Sequence, residues 1–184
     1  SMATKKKTDW SKDVFKILKN ADVKQVAYVP DAGHTSLIKM AIADNAIKPV
    51  SLTSEQEGVA VLSGAWLGGE AGALLMQSSG VGNVINMLGM ANECRFPLLM
   101  LVTMRGEWGE FNPWQVPMGQ ATEAVLEAAG VIVHRVDEII DEVLYGVRVD
   151  LPSTHMASGH SQDRFSNVGD GSYRHVHSSK ATLA

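Results

Sequence analysis

Apolar residues along this chain recur with two alternating spacings. Trp10, Val14, Ile17 and Leu18 stand at i, i+4, i+7 and i+8, the stripe of an amphipathic helix. Residues 25–30 (QVAYVP) are a short apolar run closed by Pro-Asp-Ala-Gly, which predicts a strand ending in a loop. Leu37, Ile38, Ala41 and Ile42 predict a second helix, residues 49–53 a second strand and 54–67 a third helix. Residues 71–77 (AGALLMQ) are a third strand ended by Ser-Ser-Gly-Val-Gly, and Val84, Met87, Leu88 and Ala91 mark the helix after it. Residues 97–103 (PLLMLVT) are the most apolar strand, expected at the centre of the sheet. A Gly-, Pro- and Trp-bearing loop over 103–119 leads to a helix at 120–129, a strand at 131–136 and a last helix lined by Ile139, Ile140, Val143 and Val147.

Strands and helices alternating at this spacing predict a doubly wound α/β fold. The sheet is mostly parallel, has five to six strands, and carries helices on both faces because right-handed crossovers place them there. Ligands of such sheets gather at the carboxyl ends of the strands. The segments to search for chemistry are therefore 30–34, 53–57, 78–83 and 103–119.

The pattern stops near Val149. Residues 149–184 hold 7 Ser and 4 of the 6 His, with no apolar period. The expected organisation is an extension over 1–9, a domain over 10–147 and an atypical Ser/His-rich, poorly packed tail over 148–184. Composition adds exclusions. With 45% hydrophobic and 20% charged residues, the 184-residue chain is a globular sequence and not a disordered one. Sixteen Lys and Arg against 20 Asp and Glu leave a net charge of −4 and no basic stripe, which argues against a nucleic-acid partner. The aliphatic runs are too short to span a bilayer, and Lys5, Lys6 and Lys7 lead into polar Thr8-Asp9 instead of an apolar signal segment. The expectation is a cytoplasmic protein with no membrane partner. Cys94 stands alone, so neither an internal disulfide nor a cysteine metal cluster is available.

Each post-strand segment has a structural and a chemical reading. In Thr53-Ser54-Glu55-Gln56-Glu57-Gly58, a Thr or Ser cap with Gln56 or Glu57 three residues on is a capping box. Gly58, Ser63, Gly64, Ala65, Gly68 and Gly69 make the following helix weak in propensity, each glycine costing about 1 kcal/mol against alanine, so a neighbour or a ligand approaches it closely. Ser78-Ser79-Gly80-Val81-Gly82-Asn83 is either a structural turn or a nest of N–H groups for an anion. Arg105 fits a surface ion pair or a grip on an anionic substrate. His34 reads first as a solvated polar residue and second as an acid–base group.

Taken together, VPDAGH, TSEQEGVAVLSGAWLGG, ALLMQSSGVGNVIN and RGEWGEFNPWQVPMGQ resemble, in order, the pyrimidine-binding (PYR) domain of thiamine diphosphate-dependent 2-oxo acid decarboxylases. The likeness covers residues 10–147 and is nearest to the sulfopyruvate and phosphonopyruvate decarboxylases. It implies thiamine diphosphate as cofactor and Glu55 as the glutamate that contacts N1′ of the aminopyrimidine, with Glu57 as second choice. Ser79, Gly80 and Asn83 match the segment beside the reacting carbons and join Glu55 as implied cofactor-binding residues. Asp31, Arg105 and Gln115 are the implied substrate-binding residues, and His34 with Glu55 the implied catalytic pair. No metal ligand is implied in this chain.

The resemblance further implies a 2-oxo acid substrate, 3-sulfopyruvate giving sulfoacetaldehyde and carbon dioxide, with a phosphonate analogue as the alternative. It implies homo-association of PYR domains. It also implies that Mg²⁺ and the diphosphate are held by a separate beta subunit carrying a PP domain with a Gly-Asp-Gly motif. Gly169-Asp170-Gly171 looks like that motif, but no hydrophobic strand precedes it, 13 residues follow Gly171 and none is Asn. From the residues alone, a non-catalytic small-molecule-binding α/β module stays open beside the enzyme.

Overall fold

In a computed structural model, which describes residues 10–107, 109–136 and 181–183, the predicted alternation becomes eleven regular elements and one 3₁₀ turn. The helices are α1 (Trp10–Asn20), α2 (Thr35–Ala43), α3 (Glu55–Leu67), α4 (Ser78–Cys94) and α5 (Val116–Ala128). The strands are β1 (Val23–Tyr28), β2 (Lys48–Ser51), β3 (Ala71–Gln77), β4 (Leu99–Thr103), β5 (His134–Val136) and β6 (Ala181–Leu183). They form one sheet in the order β2-β1-β3-β4-β6-β5. The β2–β1, β1–β3 and β3–β4 pairs are parallel, whereas β6 runs antiparallel to both β4 and β5. This is the doubly wound, mostly parallel α/β fold that the sequence pattern predicts.

The core lies on the inner strands. Val26 and Ala27 of β1, Leu74, Leu75 and Met76 of β3, and Met100 and Val102 of β4 are fully enclosed. Both faces of a parallel sheet are covered, so these strands read as continuous apolar runs. Helices α1 and α2 pack together on one face, while α3, α4 and α5 pack in succession on the other. Each helix turns its apolar stripe inward, as Val14 and Leu18 of α1 and Val81, Val84 and Leu88 of α4 show.

Three boundaries differ from the sequence reading. The Gly-rich segment 78–83 is no turn: α4 starts at Ser78, directly after β3. Its two glycines cost propensity, but Gly80 and Val81 are buried, and packing outweighs that cost. The loop after β4 ends sooner than expected, because a 3₁₀ turn at Pro113–Gln115 runs into α5 at Val116, with Pro117 pre-set for the first turn. Residues 181–183, placed in the expected tail, are strand β6. The extension over 1–9, the last predicted helix and the rest of the tail lie outside the described residues.

The strand order puts a crossover point between β1 and β3. The chain leaves β1 outward to β2 and returns on the other side to β3. The carboxyl ends of β1 and β3 thus border the crevice where such sheets bind ligands. Pro30–His34 follows β1 and Ser78 follows β3, so two of the four segments singled out by sequence meet there.

Candidate active site

Glu55 is the first residue of α3 and is 7% exposed. Its placement starts with the cap. Glu57 turns back on the start of its own helix, and its carboxylate accepts the N–H groups of Thr53 (2.7 Å) and Ser54 (3.3 Å). That backbone hydrogen bond from Thr53, with those of the Thr53 hydroxyl and Ser54, holds the Glu57 carboxyl below its ordinary range. Glu57 is therefore a helix cap, and Glu55 is left to face inward.

Helix α4 crosses Glu55 with Gly80. A Cβ at Gly80 would overlap Cγ, Cδ and Oε1 of Glu55, so only glycine permits this approach. One turn later Asn83 donates from Nδ2 to Glu55 Oε2 at 2.8 Å. The carboxyl thus lies against the first turns of two helices. Glu55, Gly80 and Asn83 are brought together as the sequence expectation had them. A neighbour accounts for one glycine of the weak α3 helix, since a Cβ on Gly58 would meet Leu74 and, at 2.8 Å, Leu52, whereas Gly64 faces open space.

The second group is built on Asp31. Its side chain is 4% exposed and takes hydrogen bonds on both oxygens, from Gln77 Nε2 to Oδ1 (2.5 Å) and from Thr103 Oγ1 to Oδ2 (2.6 Å). His34 Nδ1 lies 3.3 Å from Oδ2 without the alignment of a hydrogen bond. Burial opposes the charge of Asp31, but the approach of His34 and the bonds from Thr103 and Gln77 outweigh it and hold the carboxyl well below the usual aspartate range. His34 is not the solvated residue first expected. It is 0% exposed, packs edge-on to Trp10 at 6.2 Å between ring centroids, and leaves both ring nitrogens without hydrogen bonds in the described structure. Apolar contact on a helix-capping loop has drawn the imidazole inside.

The two groups are continuous. Ser79 donates from Oγ to Gln77 Oε1 at 3.4 Å, and the next residue is Gly80. Ser79 thus links the Asp31 cluster to the Glu55 cluster through the start of α4.

Arg105 takes the ion-pair alternative. Its Nε and Nη2 donate to the two oxygens of Glu110 at 2.7 and 2.8 Å, a bidentate fork. Glu110 also accepts the N–H groups of Gly106 (3.1 Å) and Asn112 (2.9 Å) and is held down to about 2, first by the Arg105 bond and then by these. The Arg105 N–H reaches Ser78 Oγ at 2.9 Å, which ties this loop to α4. Beside it, a cleft of about 600 Å³ is bordered by Gly106, Glu107, Glu110, Gln120 and Glu123. Gln115 lies in the 3₁₀ turn, 6% exposed, with no hydrogen-bond partner for Oε1 among the described residues.

Sequence reasoning missed Gln77, Thr103 and Glu110. Gln77 and Thr103 are each the polar last residue of an apolar strand, and that contrast was the available signal. Glu110 stands five residues after Arg105, and its pairing needed the loop's path.

Comparison with known proteins gives the chain a family. A family model described as thiamine pyrophosphate enzyme, N-terminal TPP binding domain, matches residues 8–115. The chain is 40% identical over 121 residues to the sulfopyruvate decarboxylase subunit alpha of Methanothermobacter thermautotrophicus, covering 65% of this chain and 73% of the relative. It is 38% identical over 118 residues to the subunit of the same name from Methanococcus maripaludis, covering 64% and 71%. It is also 35% identical over 133 residues to the phosphonopyruvate decarboxylase of Streptomyces viridochromogenes, covering 71% of this chain but 34% of that longer protein.

Proposed function

Because the chain belongs to the family of thiamine pyrophosphate enzyme N-terminal TPP binding domains, we propose that it is the alpha (PYR) subunit of a thiamine diphosphate-dependent decarboxylase converting 3-sulfopyruvate to sulfoacetaldehyde and carbon dioxide. One observation carries this reading: a buried carboxyl, Glu55, lies flush against a glycine, Gly80, and is braced by Asn83. A heterocycle with a basic ring nitrogen is served by a carboxyl fixed in this way, and Gly80 is what lets the carboxyl lie so close to α4. When bound, thiamine diphosphate supplies a carbon nucleophile and an electron sink for loss of carbon dioxide.

The chain's own residues would act as follows. Glu55 holds or releases a proton at its carboxyl beside N1′, and Asn83 fixes the orientation of that carboxyl. Gly80 leaves room for the Glu55 carboxyl, and Ser79 lines the start of α4 next to it. Asp31 and His34 border the substrate end, with Gln115 and Arg105 on the loop after β4. Arg105 must exchange Glu110 for the substrate's anionic head if it is to bind it.

Among the described residues, no cluster of three His, Cys, Asp or Glu side chains is placed to hold a metal. The proposal gives Mg²⁺ and the diphosphate to a beta subunit carrying a PP domain. Relatives named as alpha subunits imply a partner subunit. Homo-association of PYR domains and a cytoplasmic location complete the reading. No described helix is long and apolar enough to cross a membrane.

The named relatives also favour a second substrate, 3-phosphonopyruvate, whose head group is an anion of similar shape. The test is to purify the chain with its partner subunit and assay both acids, with and without thiamine diphosphate. Cofactor-dependent release of carbon dioxide is expected, with 3-sulfopyruvate preferred. Glu55→Gln, which keeps the shape but not the exchangeable proton, is expected to lower kcat by at least about 100-fold. A fully active Glu55→Gln enzyme would refute the assignment.

A further inference from the structure

The Asp31 carboxylate is better fixed than a residue on a connecting loop has reason to be. Its two oxygens are claimed by side chains from two different strands, 46 and 72 residues away in the sequence. Gln77 ends β3 and Thr103 ends β4, so each donor is anchored in a buried strand and not in a loop. Thr103 has one hydroxyl proton, and the 2.6 Å contact to Asp31 takes it in preference to the 3.4 Å contact to the Met76 carbonyl. The loop itself is pressed onto this pair: a Cβ on Gly33 would come within 2.5 Å of Thr103 Cγ2 and 2.9 Å of Asp31 Oδ2. Behind the carboxylate, His34 is enclosed, with no hydrogen bond to either nitrogen among the described residues.

We propose that Gln77 and Thr103 are positioning residues that hold the Asp31 carboxylate aimed at the substrate end of the site, with the His34 imidazole set against it. The His34 imidazole stands 3.3 Å from that fixed carboxylate, and enclosing its nitrogens without hydrogen bonds among the described residues is a cost that the fold bears at this position. Gln77 is itself steadied by Ser79, so the same strand end that orients Asp31 leads into the helix that walls Glu55. This inference deepens the decarboxylase reading and rests on it, since it takes Asp31 to act on the substrate.

The charged and titratable groups that bear on Asp31 among the described residues are His34, on its own loop, and Arg105, beyond β4. Neither is altered in the test. The Asp31 side-chain carbon is followed by ¹³C NMR in the full chain between pH 3 and 6, with Asp31→Asn for assignment. In the unsubstituted chain the signal stays at the carboxylate position throughout. Thr103→Val and Gln77→Leu each bring its titration up towards the ordinary aspartate value of about 4. Thr103→Ser, which keeps the hydroxyl, brings it back down, and this guards against a valine variant that simply packs badly.

In the complex with the partner subunit, Thr103→Val and Gln77→Leu lower kcat on the order of tenfold at little-changed KM. An Asp31 titration identical in all variants overturns the proposal, and so does a shifted titration with unchanged kcat. The two readings fail separately: if the unsubstituted complex releases no carbon dioxide, the decarboxylase assignment falls, whatever the NMR shows.

Discussion

Replacing Gly80 by alanine sets two effects of known size against each other. Gly80 is the third residue of α4, and an alanine within a helix is favoured over glycine by about 1 kcal/mol. Against that, the new Cβ would overlap Glu55. The overlapped atoms belong to one side chain and not to backbone, so the overlap is relieved by turning Glu55 aside. The structure then loses the 2.8 Å bond from Asn83, an interaction with a charged acceptor worth about 1.5–3 kcal/mol. Loss and gain nearly cancel in stability, leaving the protein within about 2 kcal/mol of its original value. For a domain of this size that is a change in Tm of no more than about 8 °C. Function has no such compensation if Glu55 acts as proposed, because the carboxyl is then moved away from the aminopyrimidine. The expected result is a folded Gly80→Ala chain, by circular dichroism and thermal melting, whose complex with the partner subunit loses thiamine diphosphate-dependent decarboxylation by about 100-fold or more. A variant that is stabilised by the full helix-propensity gain and retains activity would refute the close approach of Gly80 to Glu55.

Two further outcomes test other parts of the fold. The carboxyls of Asp31 and Glu110 are both held below their ordinary range, so each contributes stability that is present above the unfolded-state value of about 4 and is lost as pH falls towards the folded value; the urea midpoint should drop between pH 5 and pH 3, and Asp31→Asn with Glu110→Gln should flatten that drop. Gly58→Ala, which would press on Leu74 and Leu52, should cost about 1–3 kcal/mol by overpacking, and less in a Leu74→Val background. Additive costs in a double-mutant cycle would show that Gly58 and Leu74 are not in contact.

What could be read from the sequence follows the range of the physics involved. The alternation of strands and helices was legible because each element announces its own burial period. Glu55 was singled out by the family resemblance and not by local chemistry, since the capping box could be closed by Gln56 or Glu57 and only the fold shows Glu57 closing it. The start of α4 was not legible. Ser-Ser-Gly-Val-Gly reads locally as a chain break, and what makes it helical is burial of Val81 and Val84 and the need of Gly80 to meet a residue from another helix. Gln77 and Thr103 were only half legible: a polar last residue on an apolar strand stands out, but the acceptor it meets, Asp31, lies dozens of positions away. His34 was misjudged because its burial depends on Trp10 of α1, a neighbour only in the fold.

The direct passage from β3 into α4 has a thermodynamic consequence. Had the Gly-rich segment been a free loop, a ligand would have had to immobilise it at about 1–2 kcal/mol of backbone entropy per residue. Six residues, 78–83, would then forfeit several powers of ten in affinity. Here that entropy is surrendered when the chain folds, long before any ligand arrives, and Ser79, Gly80 and Asn83 meet it already in place.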